Sequence, residues 1–93
     1  MTQAELSVEG FVNFDTVRDW LHAVEHRMDR PSITIDFTAM KGFNSAVLAW
    51  MVAVKRLGHQ RGVEIIWQAV PAPLCQLARV YNLLTLLGLS GHE

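Results

Sequence analysis

The chain has 93 residues, 51% of them hydrophobic and 18% charged, which suits one small domain with a core and excludes a disordered segment. Its 8 basic and 9 acidic residues give a formal net charge of −1, so no field of one sign steers it to nucleic acid or anionic lipid. A domain of this size has little room for a cleft that excludes water, which argues against an enzyme. We therefore expect a single domain over residues 1–93 that is not an enzyme.

The cellular setting follows from three features. Cys75 is the one cysteine, which excludes an internal disulfide and fits a reducing compartment. The first residues show no basic segment followed by an apolar run, so no signal peptide is expected. The longest apolar stretch, Ala46 to Val54, is far short of the ~20 residues that span a bilayer. We expect a cytoplasmic protein without direct membrane insertion.

The first third of the chain predicts a strand and a helix. Ala4 to Val8 reads as a short strand closed by Gly10. Asn13 is a plausible N-cap for a first helix, which Asp29-Arg30-Pro31 ends because the residue before proline avoids the helical region. The apolar residues at helical spacing are Phe14, Val17, Leu21, Val24 and Met28.

The middle predicts a second strand and a second helix. Ser32 to Phe37 is a β-branched, alternating run and hence a strand. Lys41-Gly42 is expected to form a turn, and Asn44 or Ser45 to cap a long helix that follows. Serine is among the residues that lead at the N-cap, so capping is the ordinary role for Ser45.

The last third repeats the alternation. The second helix runs to about Gln60 and ends at Arg61-Gly62, and Val63 to Trp67 is a third strand. Pro71 and Pro73 open a third helix, where proline is tolerated in the first turn. Its predicted buried face consists of Leu74, Leu77, Ala78 and Tyr81.

The order β-α-β-α-β-α defines the expected fold class. The apolar tail from Leu83 to Leu89 is short, and Gly88 argues against a long helix there. Such alternation implies right-handed crossovers. We predict a single small α/β domain whose mixed sheet contains parallel pairs and is covered by helices.

The second helix is unusual because Ala46 to Val54 is apolar on every side. Projection from its amphipathic second half at ~100° per residue places Ser45, Leu48, Ala49 and Val52 towards water. The residues predicted to face the core are Val47, Trp50, Met51, Val54 and Leu57. Either another element of the domain covers the outward positions, such as the tail Leu83 to Leu89, or a partner protein does.

The start of this helix is also expected to attract a negatively charged group. The first backbone N–H groups of a helix lack partners within it and form its positive end. An acidic group of a partner, or a phosphate on Ser45, would be stabilised there.

The ordered set of segments resembles the STAS-domain family over about residues 4 to 89. The similar segments are Ile33-Thr34-Ile35-Asp36-Phe37, Phe43-Asn44-Ser45-Ala46-Val47-Leu48, Arg61-Gly62-Val63-Glu64-Ile65 and Leu77-Ala78-Arg79-Val80-Tyr81-Asn82-Leu83. The family pattern is a strand ending in Asp-Leu, a loop, Asp-Ser/Thr-small-small-Leu opening a helix, and Gly before the next strand. The resemblance is strongest to the STAS subunits of Mla phospholipid-transport ABC complexes.

The resemblance implies a function. It suggests a non-catalytic accessory subunit that binds and regulates the ABC-type ATPase of an Mla-type complex, with no cofactor and no metal. The implied contact centres on Ser45, and self-association into a homodimer is left open. The partner-binding residues that we predict are Asn13, Phe14, Asn44, Ser45, Ala46, Leu48, Ala49 and Val52.

Two departures from the family pattern keep an alternative in view. The N-terminus is too short for the family's usual strand hairpin, and Asn44 stands where the family usually has aspartate. In the family's anti-sigma-factor antagonists, the Asp-Ser pair is where a kinase phosphorylates the serine. The alternative is therefore an anti-sigma-factor antagonist that is switched by phosphorylation of Ser45. Asn44 argues against this phosphorylation. A small-ligand or nucleotide-binding domain ranks third, because Gly42 and Gly62 are isolated and form no phosphate loop.

The remaining candidates have ordinary explanations. His22 and His26 have metal-ligand spacing but no evident third ligand, so a solvated face is expected. Cys75 lies among apolar positions and is expected to be a buried, inert thiol. The resemblance implies that Asp36 orders the loop leading to Ser45. The three tryptophans, Trp20, Trp50 and Trp67, are expected in or beside the core.

Overall fold

The computed structural model describes residues 6–89 and shows five short strands and four helices in that range. In chain order the elements are β1 (Leu6–Ser7), β2 (Gly10–Val12), α1 (Val17–Glu25), β3 (Ser32–Asp36), β4 (Met40–Phe43), α2 (Ala46–Arg61), β5 (Glu64–Gln68), α3 (Ala72–Val80) and α4 (Leu84–Leu87). The α/β class is confirmed. Residues 4 and 5 of the predicted first strand lie outside the described residues.

Parallel pairing holds the strands together. The main sheet has the order β1-β3-β5, with Leu6 opposite Ile35 and Ile35 opposite Trp67. β2 and β4 form a second, two-stranded parallel sheet. The parallel pairs that we predicted are confirmed, and no antiparallel pair occurs within residues 6–89.

The pair β2–β4 was missed in the sequence. Lys41 and Gly42 lie inside β4, so the turn that we predicted there is wrong. Phe11 pairs with Gly42, and a Cβ atom at Gly42 would come within 2.8 Å of the Phe11 ring. The glycine therefore makes room for an aromatic ring on the neighbouring strand, a role that glycine in a strand often has.

The first helix begins later than the sequence suggested. The side-chain oxygen of Asn13 accepts hydrogen bonds from the N–H groups of Asp15 (2.9 Å) and Thr16 (3.2 Å). Asn13 thus stabilises a turn, as asparagine often does, and α1 starts after it at Val17. At the other end α1 stops at Glu25, although Met28 remains buried.

The core lies between the sheet and α2. Alternate side chains of β5, Ile65 and Trp67, are buried beneath this helix, and Trp50 of α2 meets Phe37 and Trp67 with ring centres 6.2 and 6.3 Å apart. α1 and α4 pack on the flanks of α2. Helix α2 therefore has neighbours on three sides.

Most of the predicted core positions are buried. The confirmed positions are Val47, Trp50, Met51, Val54, Leu74 and Ala78, whereas Leu57 and Leu77 are half-buried. Tyr81 was predicted wrongly, since it is 56% exposed. Helix α3 ends at Val80, and Asn82 has a left-handed backbone with φ 59°, so Tyr81 lies in a turn that leaves the buried face.

The short tail helix agrees with the sequence. α4 has 4 residues and ends at Gly88, whose φ of 73° is in the left-handed region. Leu87 and Leu89 are fully buried, so the tail contributes to the core. None of the helices within residues 6–89 has the length and hydrophobicity needed to cross a membrane.

Candidate partner-binding surface

The pairing of β2 with β4 brings two distant segments together. Val12 lies opposite Phe43, and the N–H of Asn44 donates to the carbonyl oxygen of Val12 at 3.1 Å. The turn after β2, which begins at Asn13, therefore lies next to the start of α2. The neighbourhood that we predicted for Asn13 and Ser45 is present in the fold.

Asn44 is the residue that caps α2. Its side-chain oxygen accepts a hydrogen bond from the N–H of Ala46 at 2.9 Å. Ser45 occupies the N-cap position but makes no side-chain cap hydrogen bond, and its side chain is exposed. The capping role that serine ordinarily has is thus performed by the preceding asparagine, which leaves the Ser45 hydroxyl accessible.

The positive end of α2 is less available than expected. The N–H groups of Ala46, Val47 and Leu48 all have acceptors: the Asn44 side chain, the Asn44 carbonyl at 3.0 Å and the Ser45 carbonyl at 3.1 Å. The expectation of free N–H groups in this turn is wrong for these three. Backbone donors that already have acceptors give a phosphate or carboxylate little further stabilisation.

Two of the residues predicted to touch a partner are not at the surface. Ala46 is 2% exposed and Leu48 is 4% exposed, so the projection of Leu48 towards water is wrong, and neither residue offers the apolar area that we predicted for a partner. The projection treated α2 as a helix on a sheet with one covered side. Since α1 and α4 also pack on α2, the domain itself covers more than one side of this helix.

What remains exposed is a narrow strip, which we call the Ser45 surface. Ser45 and Ala49 are exposed and Val52 is half-buried on successive turns of α2. On the adjacent turn Phe14 is 72% exposed, a large apolar ring in water. The Ser45 surface comprises Asn13, Phe14, Asn44, Ser45, Ala49 and Val52.

The Ser45 surface is uncharged, since none of its six side chains ionises. A second exposed aromatic, Phe11 at 59%, lies on β2 near it and was missed in the sequence. The alternation in Gly10–Val12, with Val12 buried and Phe11 exposed, is the signal that would have found it. A neutral surface with exposed apolar groups is suited to contact with another protein.

Asp36 acts locally. Its carboxylate accepts hydrogen bonds from the N–H (3.0 Å) and the hydroxyl (2.7 Å) of Thr38. These bonds order the turn between β3 and β4, which is the connection that leads towards Ser45. A structural role for Asp36 agrees with what the resemblance implied.

The other titratable candidates lie apart from this surface. His22 and His26 are both exposed, and residues 6–89 contain no group of three or more His, Cys, Asp or Glu residues able to hold a metal ion. Cys75 is 4% exposed. Burial raises the pKa of its thiol, against a smaller opposing effect of the Arg79 charge. A buried thiol of raised pKa is a weak nucleophile.

Comparison with known proteins identifies the family. The family model described as "Mlab, STAS domain" matches residues 2–88 of the chain. A search of curated proteins gave no match. The family match covers almost the whole chain, including both strands and the helix that form the Ser45 surface.

Proposed function

Because the chain belongs to the STAS-domain family, in its MlaB-like group, we propose that it is a non-catalytic accessory subunit of an Mla-type phospholipid-transport ABC complex. STAS domains typically bind other proteins and are typically non-enzymatic. The proposed partner is the cytoplasmic ATPase of such a complex, which the subunit stabilises or activates.

The observation that carries this proposal is the exposed Ser45 hydroxyl on an uncharged strip. Ser45 is released from capping by Asn44, and Ala49 and Val52 continue the strip along α2. Phe14 supplies an exposed ring at its edge. Aromatic residues, phenylalanine among them, are enriched in protein interfaces relative to the rest of the surface.

The size of the strip fits a modest contact rather than an obligate one. Since Ala46 and Leu48 are buried, the apolar area offered to a partner is smaller than the sequence suggested. Affinity would then depend on a few well-packed groups, chiefly Phe14 and Ser45, and not on buried area alone.

A binding assay with the purified ATPase of the complex tests the proposal. We expect Ser45→Arg to weaken association at least about tenfold, equivalent to about 1.4 kcal/mol, because a long charged side chain would enter a closely packed contact. Gln76→Arg is the matched control, since Gln76 is an exposed polar residue on α3, and we expect it to bind within about twofold of wild type.

The outcomes separate two errors. Equal binding by Ser45→Arg and wild type would show that the surface is assigned wrongly. No binding by the wild-type domain would show that the partner is assigned wrongly, whatever the variants do.

A second candidate is an anti-sigma-factor antagonist controlled by phosphorylation of Ser45. The exposure of Ser45 and its unused hydroxyl favour access by a kinase. The occupied N–H groups in the first turn of α2 and the neutral Asn44 argue against it. Incubation with the cognate kinase and ATP, followed by intact-mass measurement of wild type and Ser45→Ala, decides: phosphate added to wild type alone would establish the switch.

A further inference from the structure

A groove lies on the opposite end of α2 from Ser45, between α2, β5 and α4. Its volume is about 440 Å³, within the range of about 300–1,000 Å³ that is usual for small-molecule sites. Val52 belongs both to the groove and to the Ser45 surface. The other residues of the groove are distinct from those proposed to bind the ATPase.

The inner part of the groove is apolar. Ile65 of β5 and Val63, which directly precedes that strand, are each 7% exposed, and Val52 lies on the α2 side. Leu86 of α4 also lines the groove and is 58% exposed. An exposed leucine beside a nearly buried isoleucine leaves apolar surface that an alkyl or aromatic group could cover.

The α2 side of the groove is basic. Lys55, Arg56 and His59 line it from successive turns, and Glu64 is the one acidic residue in the lining. A Cβ atom at Gly88 would lie 3.6 Å from Nζ of Lys55, so this ammonium group reaches across to the end of α4. Within residues 6–89 neither Lys55 nor Arg56 has a carboxylate within 4.0 Å.

These two properties select one class of ligand. An ion pair at an exposed site contributes little by itself, so a small inorganic anion would bind weakly. An apolar body adds favourable burial for every methylene group that leaves water. We propose that the α2–β5–α4 groove binds an amphipathic monoanion of the medium-chain carboxylate type.

In this arrangement the carboxylate lies between Lys55 and Arg56, which donate charge-assisted hydrogen bonds to it. The alkyl chain lies over Ile65 and against Leu86. The single carboxylate of Glu64 disfavours a ligand with several negative charges. The proposal concerns the isolated domain and does not depend on the ATPase.

Isothermal titration calorimetry of the full chain with octanoate tests the proposal. We expect saturable binding of one octanoate per chain, at least about tenfold weaker binding of octanol, and no measurable binding of acetate. Equal affinities for octanoate and octanol would overturn the role of the basic side, and non-saturable uptake of octanoate would overturn the site.

Variants locate the ligand. Lys55→Gln combined with Arg56→Gln should weaken octanoate binding at least about tenfold, whereas Lys41→Gln, an exposed lysine on β4, should leave it unchanged. Methyl NMR spectra of the wild-type chain give a second measurement that needs no variant. Shifts on adding octanoate should centre on Ile65 and Leu86, and shifts centred elsewhere would overturn the assignment.

Discussion

The two halves of α2 differ in what surrounds them. The first half, Ala46 to Val54, has no charged residue, and six of its nine residues are buried. The second half carries Lys55, Arg56, His59 and Arg61, three of which are exposed. A helix that is apolar all round is normally a buried helix. The apolar composition of the first half therefore reflects its burial within the domain, and it overstates the area available for docking.

The two halves of α2 also differ in what their side chains contribute to stability and to binding. In the first half the inward side chains form part of the core, and Ala49 is the one exposed residue, together with Ser45 at the N-cap. In the second half most side chains face water. Substitutions of buried residues in the first half should therefore have large effects on unfolding, and substitutions of exposed residues in the second half should have small ones.

The largest expected effect is that of Trp50→Ala. Trp50 is 1% exposed and contacts Phe37 and Trp67, so its removal should lower the free energy of unfolding by about 3–5 kcal/mol. Arg56→Ala in the exposed second half should change it by less than about 0.5 kcal/mol. Urea denaturation followed by circular dichroism measures both. Similar losses for the two variants would remove the contrast between the halves.

The next effect distinguishes the two buried tryptophans. Nε1 of Trp67 donates to the carbonyl oxygen of Leu87 at 2.6 Å, whereas Nε1 of Trp50 has no partner within residues 6–89. Trp67→Phe leaves a buried carbonyl unpaired, and Trp50→Phe removes an unpaired donor. We expect Trp67→Phe to be the more destabilising by about 1–3 kcal/mol. If chemical denaturation shows equal losses, the Trp67 to Leu87 hydrogen bond contributes nothing.

Close packing at the end of α2 gives a smaller effect. A Cβ atom at Gly58 would lie 2.7 Å from the backbone oxygen of Val63 and 2.8 Å from Cγ1 of Ile65. Gly58→Ala should therefore destabilise the domain by about 1–2 kcal/mol, because overpacking outweighs the gain in helix propensity. Gln60→Ala, at an exposed position, is the control and should be nearly neutral. A Gly58→Ala variant with a raised thermal midpoint would contradict the close approach of α2 to β5.

The smallest effect sharpens the description of the Ser45 surface. Asn44→Ala should cost about 1 kcal/mol, since it removes the acceptor of the Ala46 N–H. Ser45→Ala should cost less than about 0.5 kcal/mol, because the exposed Ser45 hydroxyl makes no cap hydrogen bond. Paired thermal unfolding curves measure the difference. The reverse order would return the capping role to Ser45 and weaken its assignment to a partner.

Local signals in the sequence were sufficient for the end of α2 and the start of α3. The end of α2 at Arg61, followed by Gly62 with φ 68°, matches the expected C-cap, since only local sterics decide it. The proline-rich start of α3 was equally predictable. Such features depend on residues within one or two turns of each other.

Features set by distant contacts were not predictable in this way. The pairing of β2 with β4 joins segments about thirty residues apart, and α2 packs against helices that precede and follow it in the chain. For the candidate site, the sequence placed Asn13 beside Ser45 only through the family resemblance. Which of Asn44 and Ser45 caps the helix was left open, because both residue types favour that position.

Alkylation of the single thiol, Cys75, reports how often the folded domain opens. Cys75 is nearly inaccessible in the folded domain, and burial raises its pKa, so an alkylating reagent meets a reactive thiolate chiefly when the surrounding structure separates. With no second cysteine in the chain, one mass increment marks each molecule that has opened. Stability could therefore be followed inside crude cell extracts, with and without the partner, where spectroscopic signals of other proteins would hide it.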